Sequence, residues 1–276
     1  MKNFALLLLS FLSLFGCKEP EIVTPLPEVE KILHIAHTRD NNQGVIHPML
    51  RDVPLANYKM HLLGGDLDVF TSQDSENMQN WDDLFDLSAP TTLWALGNHD
   101  VSNRNLLEDF TERPSFYTYT AHDITFLVLD TQLDASNIKD EQLELVKSVT
   151  DTISESKNLI ILSHKLFWLQ GNEELESYLE TIPNGPPGTC GYCTNPNNFY
   201  EDVYPDLVNV QNRGVKVWCI AGDLGQKVSE FQYTLPEGVL LLASGLQVTE
   251  DDNKVIELER VFGEEWTWRY RRIEEL

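Results

Sequence analysis

A series of short apolar runs, each ending in polar or glycine residues, constrains the fold of this chain more than any other feature. Continuous apolar runs of this length are typical of strands that are buried on both faces of a sheet. The runs are Lys31–His37, Met60–Asp66, Thr92–Gly97, Ile124–Asp130, Leu159–His164, Val215–Gly222 and Val239–Gly245.

Helical patterns separate several of these runs. Asp140–Ser154 is the clearest, because its apolar residues fall on one face of a helix, and Asn103–Phe110 and Glu201–Val210 are weaker. The late runs Lys254–Val261 and Trp266–Arg271 alternate in polarity and predict a closing antiparallel ribbon. Strands that alternate with helices and are then followed by strands alone predict an α/β fold with a large sheet.

The first residues are typical of an export signal. Lys2 supplies a positive start, and the apolar run from Phe4 to Phe15 is too short to cross about 30 Å of hydrocarbon. The following Gly16-Cys17 completes a segment that resembles the bacterial lipobox, in which the cysteine is acylated. Phe15 departs from the small residue that is usual there, so a plain cleaved signal peptide with an incidental cysteine is the alternative.

These features divide the chain into three parts. We predict a lipoprotein signal peptide over residues 1–16, an acidic, proline-rich tether over 17–30 and a folded domain over 31–276. The mature protein would be exported and anchored to a membrane through Cys17, on the periplasmic face or at the cell surface.

The net charge of the chain limits the partners that it can bind. The chain has 44 acidic residues against 20 lysines and arginines, which gives a net charge of −24 at pH 7. A protein of this charge is repelled by phosphate backbones and gains nothing from counterion release. We therefore predict that nucleic acid is not a partner, and that an anionic membrane surface is not one either.

One long segment, residues 167–199, is rich in proline and glycine and has no clear helical or strand period. Such a segment inside a compact domain is either a functional loop or lid, or a variable surface insertion. Cys190 and Cys193 lie within it and can close a small disulfide in an exported protein. Phe167 and Trp168 at its start are expected to pack under the loop rather than contact a substrate.

The side chains that can bind a metal or act in catalysis lie where the apolar runs end. In open α/β sheets, ligands bind outside the carboxyl ends of the strands. Each group alone has an ordinary explanation as a turn residue or cap, but together they offer the oxygen and nitrogen ligands that suit Mn²⁺, Fe²⁺ or Zn²⁺. The groups are His37-Thr38-Arg39, Gly65-Asp66, Gly97-Asn98-His99-Asp100, Ser163-His164 and Gly222-Asp223.

The sequence GNHD at 97–100, preceded by GD at 65–66 and followed by a strand-end histidine, resembles the calcineurin-like metallophosphoesterase signature. That family has DxH, GD, GNH[DE], H and GHxH in this order, and the order is matched over roughly residues 31–245. The resemblance implies a four-layer α/β/β/α sandwich that hydrolyses phosphate esters with divalent metals.

The resemblance also implies roles for individual residues. Asp66 would bridge two metals, and Asn98 and His164 would bind the second of them. His99 would protonate the leaving group, and Asp100 would orient His99.

Two motifs depart from the family pattern. In place of DxH the chain has His37-Thr38-Arg39, and in place of GHxH it has Gly222-Asp223-Leu224-Gly225. Asp223 is a competent oxygen ligand for the second metal, and His37 can still bind the first. Arg39 cannot, because a guanidinium has no lone pair to give, and Gly225 offers no side chain.

Three interpretations stay open for this altered site. One metal remains, and Arg39 and His37 bind or orient the phosphate oxygens. Alternatively, two metals bind with a weak first site, or catalysis is lost. We predict a lipid-anchored hydrolase of a small phosphate ester that uses one or two ions of Mn, Fe or Zn, with Arg39 also acting in catalysis. The alternative is a non-catalytic surface lipoprotein that binds a glycan or a protein.

Overall fold

A computed structural model describes residues 27–39, 45–246 and 253–276 of the chain. The signal peptide, the lipid anchor at Cys17 and most of the tether lie outside the described residues, so they stay predictions. Among the residues that the structure describes, no helix is long and apolar enough to cross a membrane.

The described strands form two sheets. The first has the strand order β11-β10-β1-β2-β3, and the second has the order β4-β5-β6-β7-β9-β8. The strands are β1 (Val29–Ile35), β2 (Met60–Leu63), β3 (Thr92–Trp94), β4 (Tyr117–Ala121), β5 (Ile124–Val128), β6 (Asn158–Ser163), β7 (Lys216–Ala221), β8 (Glu230–Thr234), β9 (Leu240–Ser244), β10 (Lys254–Val261) and β11 (Thr267–Arg272).

The apolar runs predicted the strands that pair in parallel. Strands β1, β2 and β3 are parallel neighbours, as are β5, β6, β7 and β9. Strands β10 and β11 form the predicted antiparallel ribbon. Strands β4 and β8 were not predicted, because they are antiparallel edge strands whose exposed and covered residues alternate.

Five α-helices are described, and they cover the outer faces of the sheets. The predicted helix over residues 140–154 is confirmed as α4, which buries Val146 and Val149. One helix that was not predicted, α2, starts where the Asp74 side chain accepts the Asn77 N–H and buries Trp81 against the first sheet. The helices are α1 (Pro48–Arg51), α2 (Ser75–Phe85), α3 (Arg104–Thr111), α4 (Asp140–Thr152) and α5 (Tyr204–Asn212).

The sheets pack face to face, which gives the four-layer α/β/β/α sandwich. The core between them includes Ile32 and Leu62 of the first sheet and Phe126 and Ile160 of the second. Helices α1 to α3 pack on the outer face of the first sheet, and α4 and α5 on that of the second. The sandwich that the family resemblance implied is therefore confirmed. The strand pattern alone did not divide the strands between two sheets, because runs that are apolar on both faces do not reveal which strands share a sheet.

A buried ion pair joins β1 to β10. The guanidinium of Arg260 donates from Nε to Glu30 Oε2 at 2.6 Å and from Nη1 to Asp123 Oδ2 at 2.7 Å. Two contacts tie the β4–β5 turn to the first sheet: Arg260 bonds Asp123, and His122 bonds Glu30. The Glu30 side chain is 6% exposed, so removing it leaves a buried cation with one partner fewer.

We expect Glu30→Ala to lower the free energy of unfolding by about 3 kcal/mol, since breaking a buried pair leaves an uncompensated charge. The matched control is Glu28→Ala, which removes an exposed partner of Lys59 and should change stability by less than about 0.5 kcal/mol. Urea unfolding of both variants measures the difference. Equal effects of the two substitutions would contradict a stabilising role for the buried pair.

Candidate active site

The candidate site lies where the carboxyl ends of β1, β2 and β3 meet those of β6 and β7. Glycine at two positions allows this meeting. A Cβ on Gly222 would lie 2.1 Å from the carbonyl oxygen of Gly64, and a Cβ on Gly64 would lie 2.6 Å from the Cβ of Ala36. No larger residue fits there, so the two sheets can bring their strand-end side chains together.

Asp66 lies at the centre of the site and is 2% exposed. Its backbone has a left-handed φ of 55°, and its Oδ1 accepts the His99 N–H at 3.0 Å. Oδ1 lies 3.6 Å from Nε2 of His164, and Oδ2 lies 3.9 Å from Nε2 of His37. Burial alone would raise the pKa of Asp66, but the charge of His164 and the hydrogen bond from the His99 N–H contribute to a net lowering.

His164 is fully buried, and its Nε2 faces two carboxylates. Its Nδ1 donates to the carbonyl oxygen of Gly64 at 2.7 Å, which places the lone pair on Nε2. That Nε2 lies 3.6 Å from Asp66 and 3.8 Å from Oδ1 of Asp223, and it has no hydrogen-bond partner among the described residues. Burial opposes protonation, but Asp66 and Asp223 raise the pKa of His164. Burial raises the pKa of Asp223 to about 6.

This arrangement fits a divalent cation in its donor chemistry. An unpartnered imidazole nitrogen faces two buried carboxylates, and a carbonyl oxygen fixes the ring, as is usual for metal-binding histidines. Asn98 lines a cavity together with Asp66 and Asp223 and can add an amide oxygen. The distances between these side chains are longer than in a closed coordination sphere. Within the described ranges, no three His, Cys, Asp or Glu side chains are close enough to hold a metal ion. Bound metal would have to draw them inward.

Arg39 contacts two histidines of the candidate site. Its Nε lies 3.2 Å from Nε2 of His37, and its Nη1 lies 2.8 Å from Nε2 of His99. Because arginine only donates hydrogen bonds, Nε2 of each histidine accepts through its lone pair. A metal bound to His37 would need that same lone pair. Burial lowers the pKa of His37 to about 3, so this ring is neutral. In this arrangement the guanidinium is a cationic partner of His37.

The expectation that Asp100 orients the His99 ring is wrong. Both ring nitrogens of His99 have other partners: Nδ1 lies 2.7 Å from the carbonyl oxygen of Val69, and Nε2 accepts from Arg39. The Asp100 carboxylate instead accepts the backbone N–H groups of Asp66, Leu67 and Gly97.

Asp100 is therefore a positioning residue for the loop that carries Asp66. It also accepts the Thr71 hydroxyl at 2.5 Å. Burial and the nearby Asp66 charge raise the pKa of Asp100 to about 6, against the lowering effect of Thr71 and the Gly97 N–H. The order of the sequence motif did not distinguish this role from contact with His99.

The long loop forms one wall of the site. A cavity of about 240 Å³ is bounded by His37, Arg39, Asp66, Asn98, His99 and Asp223 on the strand-end side. Asn184, Gly185, Pro186 and Tyr192 from the loop complete it, together with Gln226. These loop residues were not predicted as part of the site, because only the proline and glycine content of residues 167–199 pointed to them.

Specific contacts hold the loop at the site. The Asn184 N–H donates to the Asp223 carbonyl oxygen at 3.1 Å, and Asn184 Oδ1 accepts the Gln226 N–H at 2.8 Å. Cys190 and Cys193 form a disulfide, as the export signal and their spacing suggested. The loop is thus a built part of the site, which favours the functional interpretation over that of a surface insertion.

No protein-family model matches the chain, and no curated protein sequence matches it. Among solved structures, the chain resembles a dimetal phosphatase from Danio rerio with a TM-score of 0.55 and 13% sequence identity. The alignment covers 88% of this chain and 96% of the phosphatase. The fold is of the metallophosphoesterase type.

Two larger nucleotidases show weaker likeness to this metallophosphoesterase-type fold, each with a TM-score of 0.43 and 14% identity. They are a 5'-nucleotidase precursor from Thermus thermophilus and the NAD nucleotidase of Haemophilus influenzae. Each alignment covers 88% of this chain but only 54% and 49% of those proteins, so the chain spans about half their length.

Proposed function

We propose that the protein hydrolyses a phosphate ester with the help of one divalent cation. Asp66, His164, Asp223 and Asn98 would hold the cation, and Arg39 would stand beside it. The observation that carries this proposal is the unpartnered Nε2 of His164, which faces the buried carboxylates of Asp66 and Asp223. Both carboxylates line a cavity together with the guanidinium of Arg39. Burial of a carboxylate costs free energy, so core packing does not explain two buried carboxylates beside an unpartnered histidine.

A cation at these residues supplies a Lewis acid that polarises the phosphoryl oxygen and lowers the pKa of water. The chain itself supplies the phosphate contacts. The planar fork of Arg39 can hold two phosphoryl oxygens at once and keeps a positive charge where negative charge develops. Asn98 and Gln226 bound the same cavity and offer further donors to the ester.

The Arg39–His99 contact suggests how a proton is delivered to the leaving group. As long as Arg39 donates to Nε2 of His99, that nitrogen carries no proton. A dianionic phosphate attracts the guanidinium and frees Nε2, which then takes up a proton from solvent. When the water oxygen bonds to phosphorus, the water releases a proton to solvent, the ester P–O bond breaks, and His99 gives the proton on Nε2 to the departing oxygen. The Val69 carbonyl keeps the ring in place throughout.

Metal content and turnover test this proposal. We expect the purified protein to retain about one divalent ion per chain by elemental analysis and to hydrolyse p-nitrophenyl phosphate or its diester with added Mn²⁺. Chelation should stop turnover and lower the melting temperature, and metal at about 100 times its Kd should restore about 2.7 kcal/mol of stability. A protein without bound metal, and without turnover with Mn²⁺, Fe²⁺ or Zn²⁺, would instead support the non-catalytic binding protein.

A further inference from the structure

An exposed aromatic residue stands at the wall of the catalytic cavity. Tyr192 is 59% exposed and lines the cavity together with Arg39 and His99. Phe70 is 48% exposed, and its ring centroid lies 6.4 Å from that of His99. Exposed aromatic rings next to a phosphate-binding group have contact area available for the organic part of an ester.

The other aromatic residues of the long loop do not have this role. Phe167, Trp168 and Phe199 are fully buried, and they pack against each other in the core beneath the loop. This confirms that Phe167 and Trp168 serve packing. Tyr178 packs edge-on against Phe231 and does not line the cavity. Tyr192 is the member of this segment that faces the cavity while most of its side chain remains accessible.

The backbone around Tyr192 is held rigidly. The Cys190–Cys193 disulfide closes a ring that contains Tyr192. Lys165, which is 2% exposed, donates from Nζ to the carbonyl oxygens of Gly191 at 2.9 Å and Cys193 at 3.0 Å. The carbonyls on both sides of Tyr192 are thus fixed by one buried ammonium group. A ring presented on a rigid loop loses little conformational entropy on binding a ligand.

We propose that Tyr192, together with Phe70, forms an aromatic subsite that binds the planar apolar group of an aryl or heteroaryl phosphate ester. Arg39 binds the phosphate end of the substrate, and the ring of Tyr192 stacks on the group that leaves with the ester oxygen. A flexible aliphatic ester gains less, because it offers no flat face. This inference rests on the proposed function, since it assigns the substrate class of the same site.

Two phosphonates that cannot be hydrolysed test the subsite apart from catalysis. Phenylphosphonate and methylphosphonate share the anionic head but differ in the ring. Titration calorimetry on the full chain with Mn²⁺ should show that phenylphosphonate binds about five- to tenfold more tightly, as expected for one aromatic contact.

Variants locate the source of this preference. Tyr192→Ala should reduce the ratio of the two affinities to below about twofold, while Tyr192→Phe should retain it because the ring remains. The matched control is Phe262→Ala, which removes a 67% exposed aromatic residue in the β10–β11 turn and should leave the ratio unchanged. Both positions are exposed, so none of the substitutions removes core packing.

The outcomes separate the subsite from the proposed function. Equal affinities for the two phosphonates in the unmutated protein, or an unchanged ratio in Tyr192→Ala, overturn the subsite even if aryl phosphates are hydrolysed. A Tyr192-dependent preference in a protein without any turnover supports the subsite and removes the proposed function. Failure of both phosphonates to bind overturns the subsite, since its occupant must carry a phosphate-like head.

Discussion

Asp66→Asn is expected to lower metal affinity by more than about 100-fold and to remove most phosphoesterase turnover. Changes in residues that only support metal ligands already lower affinity about 10- to 100-fold, and Asp66 faces His164 and His37 directly. Asparagine lacks the negative charge that attracts a cation, although its shape is nearly the same. The metal content after dialysis and kcat on an aryl phosphate measure the effect.

The local backbone makes this substitution a clean test. Asp66 has a φ of 55°, and asparagine adopts this left-handed conformation more readily than most residues. Its amide oxygen can still accept the His99 N–H, so the loop should keep its shape. The control Asp86→Asn changes another aspartate with a φ of 51°, at the exposed end of α2, which does not line the cavity. An Asp66→Asn protein with normal metal content would remove Asp66 from the candidate metal site.

The second large effect is expected at Arg39, where one substitution should lower turnover and another should raise the metal content. Arg39→Met removes the cation that binds phosphoryl oxygens and should lower kcat about 10²- to 10³-fold, as for the loss of a donor to a developing negative charge. The metal content should stay at about one ion per chain, because Arg39 is not a ligand.

Arg39→His should raise the metal content from about one ion to about two. It frees Nε2 of His37, which now accepts from Arg39, and adds a second imidazole beside Asp66. Three protein ligands are enough for many catalytic metal sites. Arg51→His, on an exposed residue at the end of α1, controls for the added histidine. No gain of metal in Arg39→His would show that the guanidinium does not replace a first cation.

Much of the fold followed from local pattern. The parallel strands are continuous apolar runs, and helix α4 has one apolar face, so both could be predicted from residues close together in the chain. Edge strands β4 and β8 were missed because a half-covered strand lacks such a run. The family resemblance implied two sheets, but the apolar pattern alone did not assign the strands to them, since that assignment depends on which apolar faces pack together.

Part of the candidate site could likewise be predicted from the sequence, and part could not. The sequence determined which donor groups follow the strands, and it determined that Arg39 cannot bind a metal, because both depend only on residue type and on the ends of apolar runs. Only the tertiary structure decided what these groups contact: Asp100 holds the backbone around Asp66, Arg39 bonds His37 and His99, and the long loop places Tyr192 at the cavity. These contacts join residues far apart in the chain, and the close packing of the two sheets sets the distances between them.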